Sequence, residues 1–294
     1  MIMLCPENGR MNTLCYIEQY SPSMNITYRE FSPSFLLQPY VDCYWIQTFS
    51  GFAGEVSPNQ RCLPLGMMEI IIHLDSNRCE IYENGTWKKL PYVFIAGMYR
   101  ETVVWRSPSD ARKFGIRLKP ETFPLLFKSP ASLVFSEYTA TENLIGNVAN
   151  PLAEQMSEAQ STASMLAVVE TFLLGQLKKG KQENNYIIDA ARLIRASKGQ
   201  CSIDEISRQV HVSIRQLQRS FQEKIGTSPK TYQRIIRFRT ACEQLDRVDH
   251  LGGWAGLSYE LGYSDQSHFL REFREFAGSV PNHLLGQLNQ LQGK

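Results

Sequence analysis

Residues 254–281 repeat residues 203–229, and this duplication constrains the fold more than any other feature of the chain. Ile206, Ser207 and Val210 recur as Leu257, Ser258 and Leu261 at an offset of 51. Beyond a turn the offset becomes 52, and Leu217, Arg219, Phe221, Gly226 and Pro229 recur as Phe269, Arg271, Phe273, Gly278 and Pro281. The change of one falls inside the turn, where an extra residue is tolerated. Matches on both sides of an insertion are hard to obtain by chance.

The local chemistry of the first copy describes the repeated unit. Ser202 and Glu205 stand at capping-box spacing and mark a helix start. Ile206 and Val210 give that helix an apolar edge. His211-Val212-Ser213 interrupts the pattern, and Ser213 can cap a second helix. Ile214, Leu217, Phe221 and Ile225 then form one apolar stripe at helical period, expected to be buried. The opposite face carries Arg215, Gln216, Gln218, Arg219 and Gln222, whose guanidinium and amide heads pair bidentately with guanine and adenine edges. A short helix, a turn and an Arg/Gln-faced helix read as a helix-turn-helix. Taken alone, the stretch would equally suit two core helices with a solvated face. Its recurrence about 50 residues later, across one connecting helix, decides for a two-pronged DNA reader. Ser228-Pro229 starts that connecting helix, which is expected to run to about Asp246. Roughly 18 residues span about 27 Å, close to the ~34 Å of one DNA turn.

These residues resemble a known family. Ser213-x-Arg215-x-Leu217-x-Arg219-x-Phe221, Gly226-x-Ser228-Pro229, the run Leu261-Gly262-Tyr263-Ser264-Asp265-Gln266-Ser267-His268-Phe269-x-Arg271-x-Phe273 and Gly278-x-x-Pro281 are similar to the DNA-binding domain of AraC/XylS-type transcription regulators. The resemblance covers about 184–290. It implies a seven-helix domain that grips double-stranded DNA in adjacent major grooves, with RNA polymerase as a further partner if the protein activates. The residues expected at base edges are Arg215, Gln218 and Arg219 in the first unit and Gln266, Ser267, His268 and Arg271 in the second. For Arg219 and Arg271 the alternative is a salt bridge within the domain. Ser213, Arg234 and Arg237 are expected at phosphates. Arg215 and Gln218 have no Arg or Gln at the matching 267 and 270, so the two prongs should read different bases. His211 stands where the family usually has Gly, and must tolerate an unusual backbone angle. Ser207 and Ser258 occupy places where Ala is common, and Val280 makes a poor cap for the last helix.

The N-terminal part has a different texture. Residues 1–30 show little periodicity and read as a poorly ordered extension. Aromatic and β-branched runs then recur at Tyr40–Phe49, Met68–Leu74, Cys79–Tyr82, Tyr92–Ala96, Glu101–Arg106 and Lys113–Leu118. Asn84-Gly85 between two runs is a hairpin signal. Such spacing suggests a small β-sandwich or barrel, which can hold a small-molecule effector in its mouth. The candidate ligand residues are Tyr44, Trp45, Glu69 and Arg117, with His73 and Trp87 beside them. For each aromatic, plain core packing is the competing reading. Glu69, if it points inward, needs a partner or a ligand cation.

From about 122 the pattern turns helical, starting at Lys119-Pro120-Glu121. Residues 152–179 place Leu166, Val169, Leu173 and Leu177 at helical spacing, for packing on the β-rich part or for a homodimer contact. Lys178 to Asn185 is polar and breaks the helix. The organisation expected is a two-domain α+β chain: a β-rich domain with trailing helices over 31–180, a linker at 181–185 and an all-α domain over 186–294. The first domain resembles the uncharacterised β-rich, sensor-like domain that precedes this DNA-binding domain in many such regulators. Pro39-Tyr40-Val41, Tyr44-Trp45, Leu63-Pro64 with Gly66, Glu69-Ile70-Ile71, Phe94-Ile95-Ala96-Gly97 and Phe114-Gly115-Ile116-x-Leu118-x-Pro120 carry that resemblance. Leu65 departs from the Asp often found before that Gly.

Other chemistries find little support. The net charge of +2 announces no global basic field, although arginines cluster within 208–239. Seven cysteines without a C-x-x-C pair argue against a disulfide framework and a zinc knuckle. A metal-dependent cupin enzyme needs several histidines in its β domain, and of the five in the chain only His73 lies there. A DNA-repair methyl acceptor would need clustered cysteines that are not spaced for it. Walker and nucleophile-elbow patterns are absent. No catalytic residue, metal or cofactor is therefore expected. Neither a secretory signal nor a membrane-spanning run is visible, which points to the cytoplasm. The alternative to ligand sensing is an N-terminal domain that only dimerises.

Overall fold

The computed structural model describes residues 15–17, 23–179 and 186–292. The expected linker at 181–185 and much of the expected extension lie outside the described residues. The strands are β1 (Cys15–Ile17), β2 (Asn25–Phe31), β3 (Val41–Ser50), β4 (Gln60–Cys62), β5 (Met68–His73), β6 (Glu80–Glu83), β7 (Thr86–Lys89), β8 (Val93–Ala96), β9 (Val103–Arg106), β10 (Ala111–Leu118) and β11 (Tyr138–Ala140). They form two antiparallel sheets, one in the order β11-β8-β5-β10-β3-β2 and the other β1-β4-β9-β6-β7. The six strand runs read from sequence correspond to β3, β5, β6, β8, β9 and β10. Asn84 and Gly85, at φ 51° and 80°, make the β6–β7 hairpin turn.

One expectation fails at the start. Asn25–Phe31 belongs to no loose extension but pairs along its whole length with β3, Asn25 opposite Ser50 and Phe31 opposite Tyr44. Its alternation is real: Ile26 and Tyr28 are buried while Asn25 and Thr27 are exposed. Flanking Asn and Ser residues hide so short a pattern in the sequence.

The six-stranded sheet has two different faces because strand side chains alternate. Along β10, Phe114, Ile116 and Leu118 point one way, into a core shared with Tyr44, Met68, Ile70 and Ile72. The helices α1 (Phe123–Phe127), α2 (Thr141–Ile145), α3 (Asn150–Glu158) and α4 (Thr162–Lys179) cover that face. The buried stripe of α4, Met165, Val169 and Leu173, is used here, on the β-rich domain. The other face of the sheet meets the five-stranded sheet through Cys43, Trp45, Ile71, Ile81, Phe94 and Trp105.

The helical domain contains α5 (Tyr186–Ala196), α6 (Ile203–Gln209), α7 (Ile214–Lys224), α8 (Pro229–Glu243), α9 (Gly253–Glu260), α10 (Gln266–Ala277) and α11 (Pro281–Gln292). The helix starts follow from capping. The side chains of Ser202, Ser213 and Ser228 accept bonds from the backbone N–H groups of Glu205, Gln216 and Thr231. His211 has φ 55°, and Gly262 has φ 72° at the same place in the second unit. Histidine thus occupies a left-handed turn position that glycine takes in the repeat. The connecting helix α8 is 15 residues long, shorter than expected, and spans about 22 Å. Ile214 is 39% exposed, so the buried stripe of α7 begins at Leu217 instead.

The two domains share a core. Leu63, Leu65, Met67 and Met98 of the β-rich domain join Tyr232, Ile235 and Ile236 of α8 in one buried cluster. Gly66 permits this approach, since a Cβ there would lie 3.0 Å from Ile236 Cδ1 and 3.2 Å from Ile235 Cγ2.

Candidate DNA-reading face and ligand cavity

The two units present matching faces. Leu217 and Phe221 anchor α7 in the core, as Phe269 and Phe273 anchor α10. Burying those stripes turns Arg215, Gln218 and Arg219 outward on α7, and Gln266, Ser267 and Arg271 outward on α10; His268 is half-buried. Asp265 caps α10 by accepting the His268 N–H at 2.7 Å, and Ser264 Oγ lies 3.2 Å from His268 Nδ1. Arg219 lies 3.7 Å from Glu223, with both side chains well exposed. Such an i,i+4 surface pair is worth only about 0.3–0.5 kcal/mol, so it does not hold Arg219 away from a ligand.

The residues expected at phosphates are otherwise engaged. Ser213 Oγ caps α7. Arg234 Nε donates to Glu272 at 2.7 Å and its Nη2 to Glu275 at 2.5 Å. Arg237 Nε lies 3.6 Å from Glu272, and its guanidinium stacks 4.5 Å above Tyr263. Glu272 also accepts the Tyr263 hydroxyl at 2.7 Å. These contacts lock α8 to α10, and a phosphate contact from either arginine would be made at their expense. The sequence shows the arginines but not this buried carboxylate opposite them.

Between the two sheets lies a cavity lined by aromatic and aliphatic side chains, among them Tyr28, Trp45, Ile71, Phe94 and Trp105. It leaves about 70 Å³ for the centres of water-sized molecules, several times the ~10–15 Å³ that one water needs. Trp45, Glu69 and Arg117 line it. Tyr44 does not: it is fully buried on the opposite face of β3, its hydroxyl 3.5 Å from Glu170 on α4. Adjacent strand residues point to opposite faces, so Tyr44 and Trp45 could never both reach the cavity. Trp87 lies in β7, covered by the Arg106 guanidinium at 4.1 Å, and it too is outside the cavity lining.

Glu69 points inward and has its partners. Its Oε1 accepts Trp45 Nε1–H and Arg117 Nε–H, both at 2.9 Å. Arg117, 3% exposed, also donates to Glu30 at 2.9 Å and to the Tyr28 hydroxyl at 3.1 Å. A buried guanidinium is tolerated because two carboxylates and a hydroxyl surround it. Asp42 lies 3.9 Å from Arg117 and 3.7 Å from Arg239 on α8, joining cavity wall and helical domain. Sequence reasoning missed Lys113, two residues before Gly115 on the same strand face. It is 5% exposed, and its ammonium sits 3.3 Å from the Trp105 ring centroid. Period-two spacing from Arg117 was the available signal.

His73 stands on the cavity wall. Its Nε2 accepts the Cys79 N–H at 3.1 Å, which leaves the proton on Nδ1, 3.2 Å from the Tyr92 carbonyl. Burial, and then the charge of Lys113, lower its pKa from 6.5 to about 4. The unfolded chain takes up this proton near pH 6.5 and the folded chain only near 4. Stability from this group is therefore complete above the unfolded value and falls as pH drops through that window. At pH 5 the loss is about 2 kcal/mol. Urea unfolding at pH 7 and pH 5 should show a larger drop for the wild type than for His73→Gln; equal drops would refute this.

Among the described residues no three His, Cys, Asp or Glu side chains converge as metal ligands would. No helix of the described residues is long and apolar enough to cross a membrane. Cys43, Cys62, Cys79, Cys201 and Cys242 are free thiols.

Comparison with known proteins agrees with this anatomy. Residues 206–287 match the family described as a helix-turn-helix domain. That matched C-terminal segment is a helix-turn-helix domain of the AraC type. Residues 29–139 match a domain of unknown function, DUF6597. No curated protein sequence matches the chain. Among solved structures, ToxT from Vibrio cholerae is similar at 11% identity, over 90% of this chain and 98% of that one, with a TM-score of 0.44. The AraC-like transcriptional activator CuxR is similar at 14% identity, over 80% and 89%, with a TM-score of 0.37.

Proposed function

We propose that this chain is a sequence-specific transcription regulator that reads two adjacent major-groove segments and is controlled by a small molecule in the β-rich domain. The observation that carries the first part is the pair of outward faces on α7 and α10, each opposite a buried apolar stripe, Leu217 with Phe221 and Phe269 with Phe273. Arg215, Gln218 and Arg219 would meet base edges in one segment, and Gln266, Ser267, His268 and Arg271 in the next. The unlike residues of the two faces make the site asymmetric within one monomer's footprint. The cavity supports the second part, with Trp45, Glu69, Arg117 and Lys113, beside Gln47 and His73, as polar contacts in a largely aromatic and aliphatic wall. RNA polymerase is the expected partner if the protein activates, and a homodimer would double the footprint.

Arg219→Ala tests base reading. Loss of one bidentate contact should cost about 1–3 kcal/mol at a single base position and relax preference there. Binding-site selection from random duplexes, run in parallel with the wild type, is the measurement. Recovery of the wild-type motif at unchanged affinity would exclude Arg219 as a base reader.

A further inference from the structure

The last four carbonyls of an α-helix have no partner within the helix. In both reading helices one of these carbonyls is satisfied from the other domain. Ser132 Oγ donates to the Glu223 carbonyl at the end of α7 at 2.7 Å. Thr102 Oγ1 donates to the Phe276 carbonyl at the end of α10 at 3.0 Å. In the register of the repeat these carbonyls are one position apart, since Glu223 corresponds to Glu275. The α7 end is also tightly seated: a Cβ on Gly226 would lie 2.8 Å from Ser132 Cα and 2.7 Å from Phe135 Cβ.

The segment that carries Thr102 also forms cavity wall. Tyr99 and Val103 line the cavity. Met98, at the start of the same segment, is buried in the core that the two domains share. Thr102 therefore sits between two cavity-lining residues and faces the second reading helix. A molecule that shifts the backbone at Tyr99 or Val103 acts on Thr102 between them.

From this we infer that the β-rich domain is a brace for the DNA reader. It sets the relative placement of α7 and α10 through Ser132 and Thr102, and the Met98–Val103 segment transmits the state of the cavity to α10. Thr102 is thus a positioning residue, acting on base reading through the end of the helix. The inference rests on the DNA-reading function proposed above and adds how the cavity acts on it.

The test uses the full-length chain and a duplex enriched by the wild type in binding-site selection, with a second duplex in which only the segment read by α10 is scrambled. Thr102→Val removes the hydroxyl with little change of shape, and Thr102→Ser restores it. Ala96→Leu intrudes on the cavity, whose lining includes Ala96. Thr102→Val should weaken binding of the enriched duplex by roughly two- to tenfold, the worth of one hydrogen bond. Binding of the scrambled duplex should be unchanged, and Thr102→Ser should recover wild-type affinity. The effect of Ala96→Leu on the enriched duplex should disappear in the Thr102→Val background. Equal losses on both duplexes, or effects of Ala96→Leu and Thr102→Val that simply add, would overturn the coupling while leaving DNA reading intact. Failure of the wild type to enrich any sequence would overturn the DNA-reading proposal and this one with it. Melting temperatures of all variants separate a loss of folded protein from a loss of placement.

Discussion

Replacing Glu121 with alanine is expected to destabilise the chain by about 3–5 kcal/mol. Glu121 lies in the turn between β10 and α1 and is 1% exposed. Its carboxylate pairs with both terminal nitrogens of Arg195 on α5, one of them at 3.0 Å. Arg195 also donates to the Tyr232 hydroxyl on α8 at 2.7 Å. The truncation leaves a largely buried guanidinium without its counter-charge, and that penalty exceeds the modest net worth of the pair itself. The double variant Glu121→Leu/Arg195→Met should recover most of the loss, because it removes both charges and keeps the volume. Denaturant unfolding of the three proteins measures this. A loss below about 1 kcal/mol for Glu121→Ala would show that water solvates Arg195 in the variant and that this contact does little to join the domains.

Gly115→Ala should have an effect of similar size through packing. Gly115 is paired with Trp45 across β10 and β3, and a Cβ there would fall 1.9 Å from Trp45 Cε2. The indole lies flat over the glycine and cannot share that space. Moving it breaks the Nε1–H bond to Glu69 and the stacking on Tyr28, whose ring centroid is 5.8 Å away. Overpacking costs about 1–3 kcal/mol, and a hydrogen bond to a charged group adds about 1.5–3 kcal/mol. A total near 4 kcal/mol is expected, read as a lowered urea midpoint with altered tryptophan fluorescence. An unchanged midpoint would mean that the sheet opens at this point without cost.

The residues themselves show how far the sequence reaches. The helix-turn-helix domain was legible because helices carry their signals locally. Ser202, Ser213 and Ser228 announce helix starts, and a period of 3.6 separates Leu217 and Phe221 from Arg215, Gln218 and Arg219. The cavity was only half legible. Period-two alternation says that Tyr44 and Trp45 face opposite ways, but not which of them faces helices and which faces the second sheet. That choice depends on the packing of α1, α3 and α4 on one face alone. Arg234 and Arg237 illustrate the same gap, since the carboxylate that holds them, Glu272, lies on another helix.

The sequence by itself determined a duplicated helix-turn-helix domain, because caps, turns and amphipathic stripes are interactions between near neighbours in the chain. Only the tertiary structure decided which polar residues stay outside and which are taken up by internal partners. It alone also decided that α7 and α10 end on hydroxyls of the other domain. Those outcomes depend on contacts between residues as far apart as Thr102 and Phe276, which no local pattern records.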